Sequence, residues 1–336
     1  MNYYYLNDFP LSIAKGGKEE QLKFVSEVAK KVFTNVQYFD NSVNLGPSSE
    51  SFILHCFGDS PHFLDTIKFL KGQNKNPILI INPNFYRRSP LVYRLANLLP
   101  SIYPNWYSKR KEMYNLAKFI IVNSHYEKHY LIKIFGRQLE EKITVIYNTF
   151  EKTQLNAVTT NKTNFNEKFY LIVSHLNERK NIFNLVRASK NIYEKYGYRL
   201  KIIGGLRFSN PNNVERFINM LEDNQHIDYL GEQEKDTVYS YLSECAFHIL
   251  PSFIESPGIS NLEAASINKP LIVGDFPILR EYFGEKIVYT KFNAQSIRKS
   301  IELLLNNPKQ ESIDLSFCSK ESISADYIKL FKGLND

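Results

Sequence analysis

The segment Phe247–Pro270, FHILPSFIESPGISNLEAASINKP, concentrates residues that could do chemistry. An apolar run leads into Pro251 and Ser252, then a loop, then a helical pattern opening near Gly258. Glu255 lies in the loop, and Glu263 lies inside the helix. The first amides of a helix have no partner within it. Those of Gly258, Ile259 and Ser260 would therefore favour a phosphate, reinforced by the helix dipole. Gly258 has no Cβ and lets a ligand approach closely. A carboxylate such as Glu263 can accept both hydroxyls of a ribose cis-diol, and Glu255 could hold sugar hydroxyls in the same way. Taken alone, two surface glutamates flanking a helix would read alike.

A second segment, Phe169–Asn181, runs from an apolar strand pattern into Ser174, His175, Arg179 and Lys180. Cations at the carboxyl end of a parallel strand suit a diphosphate leaving group, whose charge must be stabilised as it departs. As plain solvated residues near a helix start they would be mildly disfavoured by the dipole. A third segment, Ala14–Glu20, places Gly16 and Gly17 at a strand-to-helix turn, where paired glycines permit backbone contact with phosphate or sugar. Such turns also use glycine for geometry alone.

Several chemistries lack their residues. No GxGxxG follows the first strand pattern, and there is no GxxxxGK[ST] and no HExxH. No Asp-x-Asp occurs, so no carboxylate pair for a nucleotide-bound divalent metal is apparent, and no metal or cofactor is expected. Cys56, Cys245 and Cys318 are isolated thiols, which argues against a disulfide framework and suits a reducing cytoplasm. His125 and His129 share a helical face without an evident acidic partner and read as surface residues.

These residues need elements to hold them. At 336 residues the chain has room for two domains. With 43% hydrophobic and 23% charged residues it is ordinary globular chemistry. No apolar run approaches the ~18 residues of a membrane span, and no secretory signal pattern is visible at the start. In the second half, short apolar runs recur at Tyr170–Val173, Leu200–Ile203, Ile227–Tyr229, Phe247–Leu250, Leu271–Val273 and Ile287–Tyr289. Helical patterns alternate with them, clearest at Ile182–Tyr193 before Gly197. The first half repeats the theme, with strands at Tyr3–Leu6, Val36–Phe39, Phe52–His55, Ile78–Ile81, Phe119–Val122 and Thr144–Tyr147. Its helices fall near Glu19–Phe33, Phe63–Leu70, Pro90–Leu99 and Tyr126–Phe135. Such alternation predicts parallel sheets covered on both faces, with ligands at the carboxyl ends of the strands. The polar stretch Glu151–Asn166 reads as a linker.

Charge is uneven. Residues 1–150 hold 19 Lys and Arg against 12 Asp and Glu, so the whole net charge of +7 sits there. Phe85–Lys111 carries Arg87, Arg88, Arg94, Lys109, Arg110 and Lys111 without an acid, interleaved with Tyr93, Tyr103, Trp106 and Tyr107. This basic, aromatic, amphipathic stretch fits an anionic leaflet. A core helix with a solvated loop is the plain alternative. Nucleic acid is not expected, because no recognised module accompanies the charge.

Together these segments resemble glycosyltransferase family 4, the retaining enzymes of the GT-B fold. The most specific match is Glu255-SPGISNL-Glu263, with Ser174–Asn181, Gly16-Gly17, Asn123-Ser124 and Val145–Asn148 as further landmarks. The resemblance implies an α/β, GT-B architecture: two Rossmann-like doubly wound domains facing each other across a cleft. Residues 1–155 would form an acceptor domain and 156–318 a donor domain, and 319–336 a helix crossing back to the first. It implies that Lys180, with Arg179, contacts the donor diphosphate, that Glu263 binds ribose and Glu255 the transferred sugar. Gly258, Ile259 and Ser260 would present amides, residues near Leu230, Gly231 and Glu232 would border the base, and Gly16, Gly17, Ser174 and His175 would complete the donor site.

The chain departs from the family at two points. His175 stands where an Arg is usual, with Arg179 as a substitute charge, and Asn82-Pro83-Asn84 stands where many relatives have a His near the reacting sugar. The expected activity is metal-independent, retaining transfer of a hexosyl or N-acetylhexosaminyl group from a nucleotide-sugar donor, UDP-linked. The acceptor would be a glycan or polyprenyl- or lipid-linked precursor in bacterial surface polysaccharide assembly, and the protein would be cytoplasmic and peripheral at the inner membrane face. A nucleotide-sugar epimerase on a related fold and a catalytically silent partner subunit are the alternatives.

Overall fold

In the first half, the apolar runs become parallel strands and the periodic segments between them become the helices that cover the sheet. The computed structural model describes residues 1–8, 16–40, 43, 45, 51–83, 106–151, 167–308 and 311–334. The chain divides into one unit of Met1–Asn148 with Cys318–Asp336 and another of Thr149–Phe317.

The first unit contains β1 (Asn2–Asn7), α1 (Gly17–Ala29), β2 (Asn35–Tyr38), β3 (Phe52–Phe57), α2 (Pro61–Gly72) and β4 (Ile78–Asn82). It continues with α3 (Trp106–Leu116), β5 (Phe119–Val122), α4 (His125–Phe135) and β6 (Ile143–Val145). The strands pair in parallel in the order β2-β1-β3-β4-β5-β6. All six residues of β3 are buried, as a central strand covered on both faces requires. Tyr3, Ile53, Phe57 and Ile80 pack on one face with Leu22 and Val25 of α1. Tyr4, Leu54, Cys56 and Ile81 pack on the other with Phe63 and Ile67 of α2 and Met113 of α3. At α4, the Ser124 side chain caps the Glu127 amide at 3.0 Å, and Glu127 in turn accepts from the Asn123 amide at 2.7 Å. That reciprocal arrangement makes the Ser-x-x-Glu spacing a helix start.

The sequence reading placed no helix at the end of the basic stretch, and Trp106–Leu116 forms one. Tyr107 is buried against Phe135, with its hydroxyl donating to the Ile134 carbonyl at 3.0 Å. Arg110 turns inward, its Nε 3.1 Å from an oxygen of buried Asp59, and Tyr114 donates to the same carboxylate at 2.7 Å. Lys109 lies 3.8 Å from Asp65. The acids absent from the basic stretch arrive from the α2 region. The expected helix Pro90–Leu99, Arg87, Arg88, Arg94, Asn84 and the linker after Glu151, with the 155/156 boundary, lie outside the described residues.

The second unit contains β7 (Phe169–Val173), α5 (Ile182–Tyr196), β8 (Arg199–Ile203), α6 (Pro211–Glu222), β9 (Ile227–Tyr229) and α7 (Lys235–Glu244). Then come β10 (His248–Leu250), α8 (Ile259–Ser266), β11 (Leu271–Gly274), α9 (Pro277–Phe283), β12 (Val288–Thr290) and α10 (Ala294–Asn306). The order is β12-β11-β10-β7-β8-β9, with parallel pairing throughout. Strand order reverses between β7 and β10, so the loops leaving those two strands flank the crevice where doubly wound sheets bind ligands.

The final helix, α11 (Lys320–Lys332), belongs to the first unit. Ile323, Tyr327 and Phe331 are fully buried in the cluster that also holds α1 and the first strand. Each aromatic ring so buried contributes roughly 2–3 kcal/mol. Asn82, at the departure noted above, donates to the Tyr327 hydroxyl at 3.3 Å and lies 2.6 Å from His55. Its Oδ1 can only accept, so His55 carries its proton on Nε2 and accepts from the Tyr3 hydroxyl on Nδ1. Asn82 therefore ties β3, β4 and α11 together.

Candidate functional site

The site grows from two loops of the second unit. After β7 the chain makes a short 3-10 turn, Glu178–Lys180, started by the Asn177 side chain accepting from the Arg179 amide at 3.0 Å. Asn181 then adopts a left-handed conformation, φ 57°, that few residues other than Asn and Gly tolerate. This bend turns its buried amide side chain across the sheet. It donates to the Pro251 carbonyl at 3.2 Å and to the Phe292 carbonyl at 2.9 Å. One residue earlier, Lys180 Nζ lies 2.5 Å from Glu255 Oε2. One residue earlier again, the Arg179 carbonyl accepts from the Phe253 amide at 2.8 Å. Three consecutive residues of the β7 loop thus grip the β10 loop.

The Lys180 and Glu255 side chains are 12% and 13% exposed, open enough for a ligand to reach and closed enough to strengthen their attraction. Burial by itself would push the Glu255 carboxyl up. Lys180, by charge and hydrogen bond, then Arg179 and the Ser252 hydroxyl at 3.2 Å outweigh it and hold the group below the usual carboxylate range. Arg179 itself is exposed. Beneath the pair, fully buried His248 accepts from the Val173 amide at 3.4 Å through Nε2, which places its proton on Nδ1. Burial lowers it to about 3, opposed by Asn261 and assisted by Lys180, so no imidazolium competes with that cation.

Gly258 opens α8 at φ 84°, a conformation that strains any side chain. A Cβ there would also stand 3.0 Å from Asn261 Nδ2 and 3.1 Å from Glu255 Cγ. The N-cap is Gly258, which has no side chain to cap the helix start, so the first amides look to other partners such as an anion. Glu263, one turn after Ile259, is 6% exposed, and its Oε1 accepts from the Tyr239 hydroxyl at 3.1 Å.

The remaining donor-site candidates sit on neighbouring strand ends. The Ser174 hydroxyl donates to the His175 carbonyl at 3.2 Å. His175 Nδ1 lies 3.8 Å from Glu232 Oε1, which Arg207 Nη2 approaches to 2.6 Å. Leu230 and Gly231 leave β9; the Leu230 amide bonds to Ile202, and the Gly231 carbonyl accepts from Gly204 at 2.8 Å. Gly16 and Gly17 are in the other unit, at the start of α1. The sequence reading missed Asn181, His248, Tyr239 and Arg207 as site residues, and it named Ser252 without a role. Asn181 carried a usable signal, since an Asn immediately before a helical pattern marks a turn or cap. The others become visible only when strands are placed side by side.

Residues 157–314, inside the second unit, match the family described as Glycosyl transferases group 1. Over 192 residues the chain is 26% identical to the O-antigen chain mannosyltransferase RfbU of Salmonella typhimurium, covering 56% of this chain and 52% of that protein. Over 194 residues it is 27% identical to an uncharacterized glycosyltransferase of Methanocaldococcus jannaschii, covering 56% and 50%. The matched stretch spans about half the length of these curated relatives. Among solved structures, sucrose-phosphate synthase from Thermosynechococcus elongatus superposes with a TM-score of 0.75 at 14% identity, covering 99% of each chain. Anabaena HepE, solved in complex with UDP and glucose, superposes with a TM-score of 0.71 at 14% identity, covering 99% of this chain and 100% of that one. The chain has the GT-B fold with two Rossmann-like domains, and residues 157–314 of its second unit are similar to the glycosyl transferases group 1 family.

Proposed function

We propose that the protein is a retaining, metal-independent glycosyltransferase of family 4 that uses a nucleotide-sugar donor. The observation that carries this reading is the Lys180–Glu255 pair at the crossover between β7 and β10, beside the uncapped start of α8. A cation, a sugar-binding carboxylate and unpaired helix amides stand together there, as a sugar diphosphate requires. The family match over 157–314 supports the reaction class. A UDP-linked donor is suggested by the UDP named in the Anabaena HepE structure. The O-antigen mannosyltransferase suggests surface polysaccharide assembly with a glycan or lipid-linked acceptor.

In this reading the bond between the sugar's anomeric carbon and the diphosphate oxygen breaks. Lys180, Arg179 and the α8 amides stabilise the charge that develops on that oxygen. Glu255 holds sugar hydroxyls and Glu263 the ribose. The acceptor hydroxyl forms the new bond to the anomeric carbon from the same face. Its proton passes to the departing diphosphate, so no protein nucleophile is needed. Retention follows because the leaving group and the attacking oxygen share one side of the ring.

The basic first half, with Arg87, Arg88 and Arg94, supports a peripheral position on an anionic inner membrane face. Among the described residues no helix is long and apolar enough to cross a membrane.

The test is a nucleotide-release screen across UDP-, GDP- and ADP-sugars, with and without lipid extract. Release that depends on extract supports transfer to a lipid-linked acceptor. Conversion of the donor alone would instead identify an epimerase, and binding without turnover a silent partner subunit.

A further inference from the structure

Glu263 is a buried carboxylate, and such a group is stable only where hydrogen bonds replace its water. One of those bonds comes from a residue outside its own helix. The Tyr239 hydroxyl, on α7, donates to Glu263 Oε1 at 3.1 Å, and Tyr239 is itself 1% exposed. The other inward residues of α7, Val238 and Leu242, are apolar. The helix could therefore pack with a phenyl ring at this position, and the hydroxyl is an addition directed at Glu263.

The terminal torsion of a glutamate is broad and poorly defined on its own. A bond at one oxygen fixes the carboxylate plane and with it the direction of the remaining lone pairs. α7 also begins at Lys235, a short turn after Leu230 and Gly231, so one helix links the strand end that would border the base with the carboxylate that would meet the ribose.

We propose that Tyr239 is a positioning residue for Glu263. It orients the carboxylate toward the ribose 2′- and 3′-hydroxyls and so sets preference for ribonucleotide over 2′-deoxyribonucleotide donors. This rests on the reading of the second unit as a nucleotide-sugar site.

The experiment is calorimetric binding of UDP and 2′-deoxy-UDP to wild type, Tyr239→Phe and Glu263→Gln, with donor kinetics alongside. Tyr239→Phe should weaken UDP by about tenfold, the effect of a hydrogen bond to a charged acceptor. It should weaken 2′-deoxy-UDP clearly less, by about threefold, because one of the two hydroxyl contacts it tunes is already missing there. The kinetic loss should fall on KM for the donor rather than on kcat. Glu263→Gln should weaken UDP at least as much. Equal loss for both nucleotides in Tyr239→Phe, or no loss while Glu263→Gln weakens UDP, overturns the positioning role. Unchanged UDP binding in Glu263→Gln overturns the ribose assignment itself, and the positioning role with it.

Discussion

Lys180 Nζ and Glu255 Oε2 stand 2.5 Å apart although 75 residues separate them in the chain. The contact exists because β7 and β10 are neighbours in the sheet, and the loops that leave them meet over the point where strand order reverses. Each charge satisfies the other. A bound sugar diphosphate would engage the lysine with its phosphate and the glutamate with its sugar.

Lys180→Ala should lower turnover by ~10²-fold or more, the usual loss when a charge contact to a transition state is removed. It should also lower the thermal midpoint, because Glu255 would keep a largely buried charge without its cation. Breaking such a pair costs about 3 kcal/mol or more. Nucleotide release at saturating donor and a melting curve check the two effects. Near-normal turnover would remove Lys180 from the reaction.

Activity should persist in excess EDTA, since the sequence holds no Asp-x-Asp to carry a nucleotide-bound metal. A rate that collapses with chelator and returns with manganese or magnesium would show metal dependence.

Membrane binding should depend on Arg87, Arg88 and Arg94 and not on Arg110, whose guanidinium is held by Asp59. Wild type should sediment with anionic vesicles at low salt, less at high salt, and little with zwitterionic vesicles. Replacing the three arginines by Gln should abolish the difference. Arg110→Gln should instead destabilise the fold by about 3 kcal/mol, since Asp59 would stay buried without its cation. Burial already pushes the Asp59 carboxyl up against the opposing pull of Arg110 and Tyr114, so removing Arg110 raises it further. Loss of vesicle binding in a stably folded Arg110→Gln variant would contradict this division.

Stability should fall as pH drops below about 6.5. Burial lowers His55 to about 4 and His248 to about 3 from the ordinary 6.5, so both are neutral in the fold. Between 6.5 and those values the unfolded chain binds protons that the folded chain does not. The stability tied to this difference is complete above 6.5 and declines with acid, by ~1.4 kcal/mol per pH unit for each imidazole. Melting curves at pH 7.5 and 5.0 check it, and His248→Gln should flatten the dependence for the second unit. A midpoint insensitive to this range in wild type would contradict the neutral assignment.

The alternation of apolar runs with helical patterns, legible in the sequence, already specified two parallel sheets. Local signals placed many of the ends. Gly197 closes α5 in a left-handed conformation at φ 72°, and Ser124 with Glu127 starts α4. Period, caps and turns depend on residues within a turn or two, so a linear reading can find them. Strand-end placement likewise pointed to Lys180, Glu255 and Glu263.

Which groups face one another was decided only by strand order and register, which no local pattern encodes. That is why the acid-free basic stretch read as a surface while Asp59, 51 residues from Arg110, turned part of it into core. It is also why Tyr239 looked like one more aromatic on a helix until Glu263, 24 residues later, was brought against its hydroxyl. A buried charge must find its partner somewhere in the fold, and only the tertiary structure shows where.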